Sequence, residues 1–300
     1  MSYREGVAVL IPTYNGWKRV ELLLENLRQR TFDVPHEIVV CDDSGRPEHQ
    51  AQVMAVCERA GVRMIRNRKN SGVAASWNAL VRSTDHEVAV LLNDDVLVAK
   101  DWLSYLTYAI VENPKIGSFS MNCLFIEAKD TEKIVQGPDE QVIPLNVRYV
   151  GGNLVRNERF LEMPKQEDSN PGRVMCPAGC AFGFRRSVYD LVGGFDERYF
   201  AFYEETDFGV ACAYRGMPAF TLTVPFDSYH IWSATFGSAP EIDAGRIMSR
   251  SRDSFVAKWS GILGVKFSDA PEIHSLLMDK IPQFRVKWLG PGKKQREETL

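Results

Sequence analysis

Acidic residues stand in two places where they could do chemistry. Leu91-Leu92-Asn93-Asp94-Asp95 sets an amide and two carboxylates after an apolar stretch, and Glu204-Glu205-Thr206-Asp207 packs three carboxylates into four positions. Carboxylate oxygens are hard ligands suited to Mg2+ or Mn2+, and such a cation is usually shared with a substrate phosphate rather than caged by protein. Asp94-Asp95 also reads as a simple turn after a strand, because Asp is a frequent turn residue. The second cluster reads either as a base-bearing site or as acidity that complements a helix N-terminus. Cys176 and Cys180 form a close pair, but no second Cys/His pair lies near enough to complete a zinc site. The six cysteines are scattered and make no disulfide framework.

The elements that must position these residues alternate along the first 120 positions. The apolar runs Val7–Ile11, Glu37–Cys41, Val62–Arg66, Val88–Leu92 and Ile116–Ser120 predict strands. Between them, helical spacing predicts helices over 17–30, 47–60, 73–81 and 102–112, the last with Asp101 as N-cap. Repeated strand–helix–strand units imply an α/β fold with a mostly parallel sheet and right-handed crossovers. Ligands of such sheets sit beyond the carboxyl ends of the strands. Those ends carry Thr13-Tyr14-Asn15, Asp42-Asp43, Arg68 to Ser71 and Asn93-Asp94-Asp95, so polar residues gather along one edge. Neither a G-x-G-x-x-G after the first strand nor a G-x-x-x-x-G-K-[ST] is present, which removes the common dinucleotide fingerprint and the P-loop.

Further on, residues 125–175 read as a loop-rich, partly mobile insertion. A helix is expected from Arg185-Arg186, whose guanidinium groups read as a solvated helix face or, alternatively, as phosphate ligands, and another over 204–215. A strand over 219–224, a helix over 244–259 and a frayed polar tail after Pro291 complete the prediction. Gly193-Gly194-Phe195-Asp196 reads as a tight turn, and Trp77 and Trp102 as helix-to-sheet packing. The organisation is therefore 1–122, 123–240 and 241–300. With 300 residues, 45% hydrophobic and 25% charged, the chain is long enough to fold on its own core. A formal net charge of -3 argues against non-specific nucleic-acid binding. No apolar stretch approaches the length of a membrane span, and Met1–Gly6 does not open a signal peptide. The chain reads as cytoplasmic, working in solution or peripherally at a membrane; its oligomeric state is left open.

Taken in order, Ile11-Pro12-Thr13-Tyr14-Asn15, Val39-Val40-Cys41-Asp42-Asp43-Ser44, Asn70-Ser71-Gly72-Val73-Ala74 and Leu91-Leu92-Asn93-Asp94-Asp95 resemble the signatures of family 2 glycosyltransferases. Gly179 to Arg186, Gly193-Gly194-Phe195-Asp196-Glu197 and Glu204-Glu205-Thr206-Asp207 resemble that family's acceptor-side block. The resemblance runs over roughly residues 7 to 260 and is nearest the rhamnosyltransferase-like members. It implies a GT-A fold and an inverting, metal-dependent transfer from a nucleoside-diphosphate sugar to a hydroxyl of a glycan, lipid-linked or protein acceptor. It places Thr13, Asn15, Asp42, Asp43, Asn70, Gly72, Asn78, Asn93, Asp94 and Gly179 on the donor side. Asp95 and His230 fall at the Mn2+ or Mg2+ positions, with Asn93 replacing the first Asp of the family's D-x-D. Glu205 falls at the base position, one methylene longer than the family's Asp, with Glu204 beside it. His230 alternatively reads as a packed histidine, and Trp232 as a sugar-stacking ring. A nucleotidyltransferase and a non-catalytic nucleotide-sugar or carbohydrate-binding protein remain alternatives.

Overall fold

The run Val7–Thr13 is buried on both faces and forms β1, with β2 (His36–Asp42) on one side and β4 (Val88–Leu92) on the other, both parallel. β3 (Arg63–Arg66) pairs outside β2. The computed structural model describes residues 6–31, 33–126, 148–150, 171–222, 228–231 and 243–300. The crossovers are α1 (Trp17–Arg30), α2 (Pro47–Ala60) and α3 (Val73–Arg82). α1 shows why the helical reading holds: Val20, Leu23, Leu24 and Leu27 form one buried stripe. Each such side chain contributes about 1.5–3 kcal/mol by leaving water.

Past β4 the series departs from a straight parallel continuation. β5 (Val96–Leu97) and α4 (Trp102–Glu112) lead to β6 (Ser118–Met121), which does not lie beside β4. β10 (Ala181–Arg185) from the second half is inserted antiparallel between them. Its Phe182, Gly183 and Phe184 are all buried, so it suits an interior strand covered on both faces. With β9 (Gly172–Val174) and β11 (Ala219–Leu222), the sheet order is β3-β2-β1-β4-β10-β6-β11-β9. A smaller sheet, β5-β12-β7-β8, uses β7 (Cys123–Ile126), β8 (Arg148–Val150) and β12 (Ser228–Ile231). Most of the expected insertion at 125–175, Trp232, and positions 223–224 of the expected strand lie outside the described residues.

α5 (Arg186–Val192) and α6 (Glu204–Tyr214) follow β10, and α7 (Ala244–Leu263) and α8 (Ala270–Met278) pack beyond them. An aromatic cluster fixes α6 to the sheet: Phe208 stacks on Phe195 at 4.7 Å and lies 5.0 Å from Phe184. Trp77 joins the same cluster from α3 through Phe182 and Phe195, as expected of a helix-to-sheet contact.

Three expectations are corrected. Asp101 does not cap α4 with its side chain; it takes a left-handed backbone conformation (φ 59°) and faces Lys293 at 3.6 Å. Arg186 is not a solvated face. Its guanidinium donates to the carbonyls of Val81 (2.8 Å), Thr84 (2.6 Å) and His86 (3.1 Å), satisfying groups left open where α3 ends. The tail is not frayed: β13 (Arg285–Gly290) and β14 (Lys294–Thr299) form an antiparallel hairpin. Val286 and Trp288 alternate onto the core, and Asn113, just past the end of α4, bonds the backbone of Lys287 in both directions, at 2.8 and 2.9 Å. The alternation was masked by the polar partner strand, which is exposed throughout.

Candidate active site

The turn after β4 carries Asn93, Asp94 and Asp95 to the carboxyl edge, and β12 brings His230 against it. His230 pairs with Val96 in register, and the Ile231 N–H donates to the Asp95 carbonyl at 2.8 Å. The Asp95 and His230 side chains therefore meet, Oδ1 to Nε2 at 3.2 Å. Burial opposes charge on the imidazole, but the Asp95 carboxylate, with Cys180 and Asp94 behind it, outweighs that and lifts it to about 9. Apart from His230 Nε2, the buried Asp95 Oδ1 has no hydrogen-bond partner among the described residues. A buried carboxylate beside an imidazole is a donor set that fits a hard divalent cation. Among the described residues no group of three such ligands is assembled.

The second acidic cluster opens α6. Tyr203, just before it, and Phe202 both have left-handed backbones (φ 71° and 63°), a conformation that costs non-glycine residues about 1–3 kcal/mol each. Glu204 then turns inward, with Oε2 buried and no hydrogen bond to it among the described residues. Burial, and next the charge of Glu205, push its carboxyl well above the ordinary range. Glu205 is half-buried; burial raises it too, against the backbone N–H groups of Glu205 and Thr206. Gly179 lies directly on it, since a Cβ there would sit 3.3 Å from Glu205 Cγ and Cδ. The next carbonyl, of Cys180, accepts the Asn93 N–H at 2.9 Å. Two consecutive residues thus join the Glu204/Glu205 pair to the turn bearing Asp95. Asp207, the third acid, is tied internally to Lys258 (2.6 Å) and Trp259 (2.8 Å), which removes it as a base.

The remaining expected residues divide by how they are held. Asp94 accepts from Arg19 Nε at 3.0 Å and from Thr13 Oγ1 at 2.5 Å. This clamp ties the β1–α1 loop to the β4 turn. Asn15 takes the left-handed conformation that Asn tolerates (φ 52°), and its Oδ1 is buried without a donor among the described residues. Asp42 accepts from the Ser44 N–H (3.2 Å) and hydroxyl (2.8 Å), an Asx turn closing β2. Asp43 accepts from Ser71 N–H, Gly72 N–H and Asn67, fixing the loop that holds Asn70 and starts α3. Gly72 has φ 90°, and a Cβ there would lie 2.3 Å from the Phe200 carbonyl oxygen, so its glycine is required by packing. Asn78 stands apart. Its amide bonds Phe195, Glu197 and Tyr189 in the interior, a structural commitment that the sequence reading did not foresee.

Arg19 was missed by the sequence reading. Its signal was a cation in the first turn of α1, where the helix dipole disfavours one unless a carboxylate compensates.

The family model of glycosyl transferase family 2 matches residues 8–193, more than half of the chain. The chain belongs to glycosyl transferase family 2. The glycosyltransferase YwdF of Bacillus subtilis is 32% identical over 190 residues, 63% of this chain and 62% of that protein. A Haemophilus influenzae glycosyltransferase is 28% identical over 110 residues, 37% of this chain and 36% of its own length. The chain thus covers less than two thirds of either relative. Solved structures share the GT-A fold. The mannosyltransferase PcManGT from Pyrobaculum calidifontis, in complex with GDP-Man and Mn2+, gives a TM-score of 0.52 at 17% identity, covering 93% of this chain and 70% of that one. GalNAc-T7 with UDP, GalNAc and Mn2+ gives 0.60 at 19%, covering 92% and 54%. Staphylococcus aureus TarS 1-349 with UDP-GlcNAc gives 0.56 at 13%, covering 92% and 72%. The family's expected motifs at 11–15, 39–44, 70–74 and 91–95 all fall inside the matched span. No helix of the described residues is long and apolar enough to cross a membrane.

Proposed function

We propose that this family 2 chain transfers one sugar from a nucleoside-diphosphate sugar to an acceptor hydroxyl, with inversion at the anomeric carbon. The observation that carries the reading is the Gly179-Cys180 step, which sets Glu205 next to the turn that presents Asp95 to His230. A base and a cation-binding pair on adjacent segments suit a single displacement. Asn15, Asp42, Asn70 and Asn93 line the donor side, with the Arg19–Asp94–Thr13 clamp and Asp43 holding their loops in shape. Gly179 admits the sugar close to the backbone, where a side chain would also displace Glu205.

Asp95 and His230 would hold Mn2+ or Mg2+, the remaining ligands coming from diphosphate and water. When bound, the cation supplies neutralisation of the charge that develops on the departing diphosphate. Glu205 takes the proton from the acceptor hydroxyl as it attacks the anomeric carbon. Burial and then the Glu205 charge push Glu204 toward its neutral form, which leaves Glu205 as the member of the pair to take a proton. The acceptor is a hydroxyl of a glycan, a lipid-linked sugar or a protein.

The test is a panel of nucleotide sugars and acceptors, with Mn2+, Mg2+ or chelator, read by nucleoside-diphosphate release. Transfer that depends on the cation supports the reading. Pyrophosphate release in a parallel arm given a nucleoside triphosphate and a sugar 1-phosphate would instead indicate a nucleotidyltransferase, and tight donor binding without turnover a binding protein.

A further inference from the structure

Helix α7 lies outside the span matched by the family model, yet it grips α6 where the acid pair begins. Its Lys258 ammonium sits between two carboxylates, 2.6 Å from Asp207 and 2.9 Å from Asp196. Trp259 Nε1 donates to Asp207 Oδ1 at 2.8 Å, and one turn-pair earlier Ser251 Oγ donates to the Ala201 carbonyl at 2.8 Å. Tyr199 adds a longer bond to Asp207 at 3.3 Å. These contacts bracket residues 196–207, the stretch that contains the left-handed Phe202 and Tyr203 and ends in Glu204 and Glu205.

Strained backbone persists only where its surroundings over-determine it. Adhesion between α7 and the rest does not need charge, because Phe255 and Trp259 are already buried against that part of the core. Apolar contact is non-directional, whereas an ammonium shared between two carboxylates fixes rotation and register. Lys258 is only 19% exposed, unlike an ordinary solvated lysine. Arg198 covers the other side of Asp196, so the two acids and two bases balance locally. We propose that Lys258 is a positioning residue for the acid pair, holding the first turn of α6 so that Glu205 stays against Gly179. This inference rests on the reading of Glu205 as the base.

The experiment compares the full chain with Lys258→Met, Lys258→Arg and Trp259→Phe. Turnover is normalised to sites counted by donor binding, and hydrogen exchange is followed at the amides of residues 205–208. Lys258→Met is expected to lower kcat about tenfold or more, because small misplacements of a reacting group are costly. Donor KM should stay within about twofold, which a loss of folded protein or of binding would not give. Lys258→Arg should recover much of the rate, and exchange at 205–208 should quicken in Lys258→Met. Trp259→Phe keeps an aromatic ring in the core but loses the N–H and part of the buried indole, so it should still fold and move kcat the same way by about threefold. Wild-type kcat per donor site with unchanged exchange in Lys258→Met overturns the proposal. If that variant does not fold, unchanged kcat and exchange in Trp259→Phe overturn it. Glu205→Gln is assayed in parallel: full activity there sinks the base reading alone, and the exchange measurement still decides the clamp.

Discussion

Gly179 and Glu205 are in contact across the sheet edge: a β-carbon on residue 179 would lie 3.3 Å from both Cγ and Cδ of the glutamate. That distance is a few tenths of an ångström too short for comfort, so the side chain would have to give. Gly179→Ala should therefore displace Glu205 slightly and lower kcat by about 3–30-fold, with donor affinity nearly kept. Steady-state kinetics alongside donor titration checks this. Wild-type turnover in Gly179→Ala would mean that Glu205 is not held against residue 179 during the reaction.

The Asp95–His230 pair leads to a metal prediction. On the proposed reading, Asp95→Ala would remove a hard oxygen ligand, and His230→Gln would replace the imidazole with a weaker one. Each should raise the Mn2+ concentration needed for half-maximal nucleotide binding, Asp95→Ala the more, by about tenfold or greater. Binding measured by calorimetry with and without Mn2+ separates this from lost stability. Wild-type Mn2+ dependence in His230→Gln would return His230 to a packing role.

Arg19 should matter to folding more than its position suggests. Asp94 is 5% exposed and accepts two bonds from Arg19, so Arg19→Met leaves a carboxylate buried without its cation. The loss should be about 2–4 kcal/mol, reduced from a fully buried pair because Arg19 keeps some contact with water. Adding Asp94→Asn to that variant should recover part of it. Urea unfolding of the single and double variants makes the comparison.

His274 of α8 supplies a pH dependence. Burial, helped by the nearby Arg173 charge, drives its imidazole down to about 4, against an unfolded value near 6.5. Above about 6.5 both states are neutral there and His274 adds no slope. As pH falls from about 6.5 to 4 the unfolded chain takes up the proton first, so stability declines, by on the order of 2–3 kcal/mol in total. His274→Phe should flatten that part of a stability-versus-pH curve; an unchanged curve would show that the histidine is protonated in place.

Much of the scaffold was legible because its signals are local. The Val7–Ile11 run and the Val20/Leu23/Leu24/Leu27 stripe can satisfy their apolar faces in only one kind of element. Residues 93–95 and 204–205 stood out as candidates because several carboxylates crowd together there, more than a turn or a helix start requires. What escaped depends on distant pairing. The insertion of β10 between β4 and β6 joins strands about 60 to 90 positions apart, and no local window of sequence records such a pairing. Asp94 and Asn78 looked like donor contacts, but Arg19 and the turn at Phe195, 75 and 117 positions away, claim their polar atoms. The β13–β14 hairpin was hidden by a partner strand with no apolar face.

Glu205→Gln tests the central claim most directly. An acceptor hydroxyl is a poor nucleophile near neutral pH, and removing a general base typically costs about 10²–10⁴-fold in rate. The amide keeps the shape of the side chain and its contact with Gly179, so donor and Mn2+ affinity should match the wild type while turnover falls by that factor. Glu204→Gln, at a carboxyl that burial pushes toward its neutral form, should be the milder change. Turnover in Glu205→Gln within a few-fold of wild type, at equal donor occupancy, would contradict the assignment of Glu205 as the base.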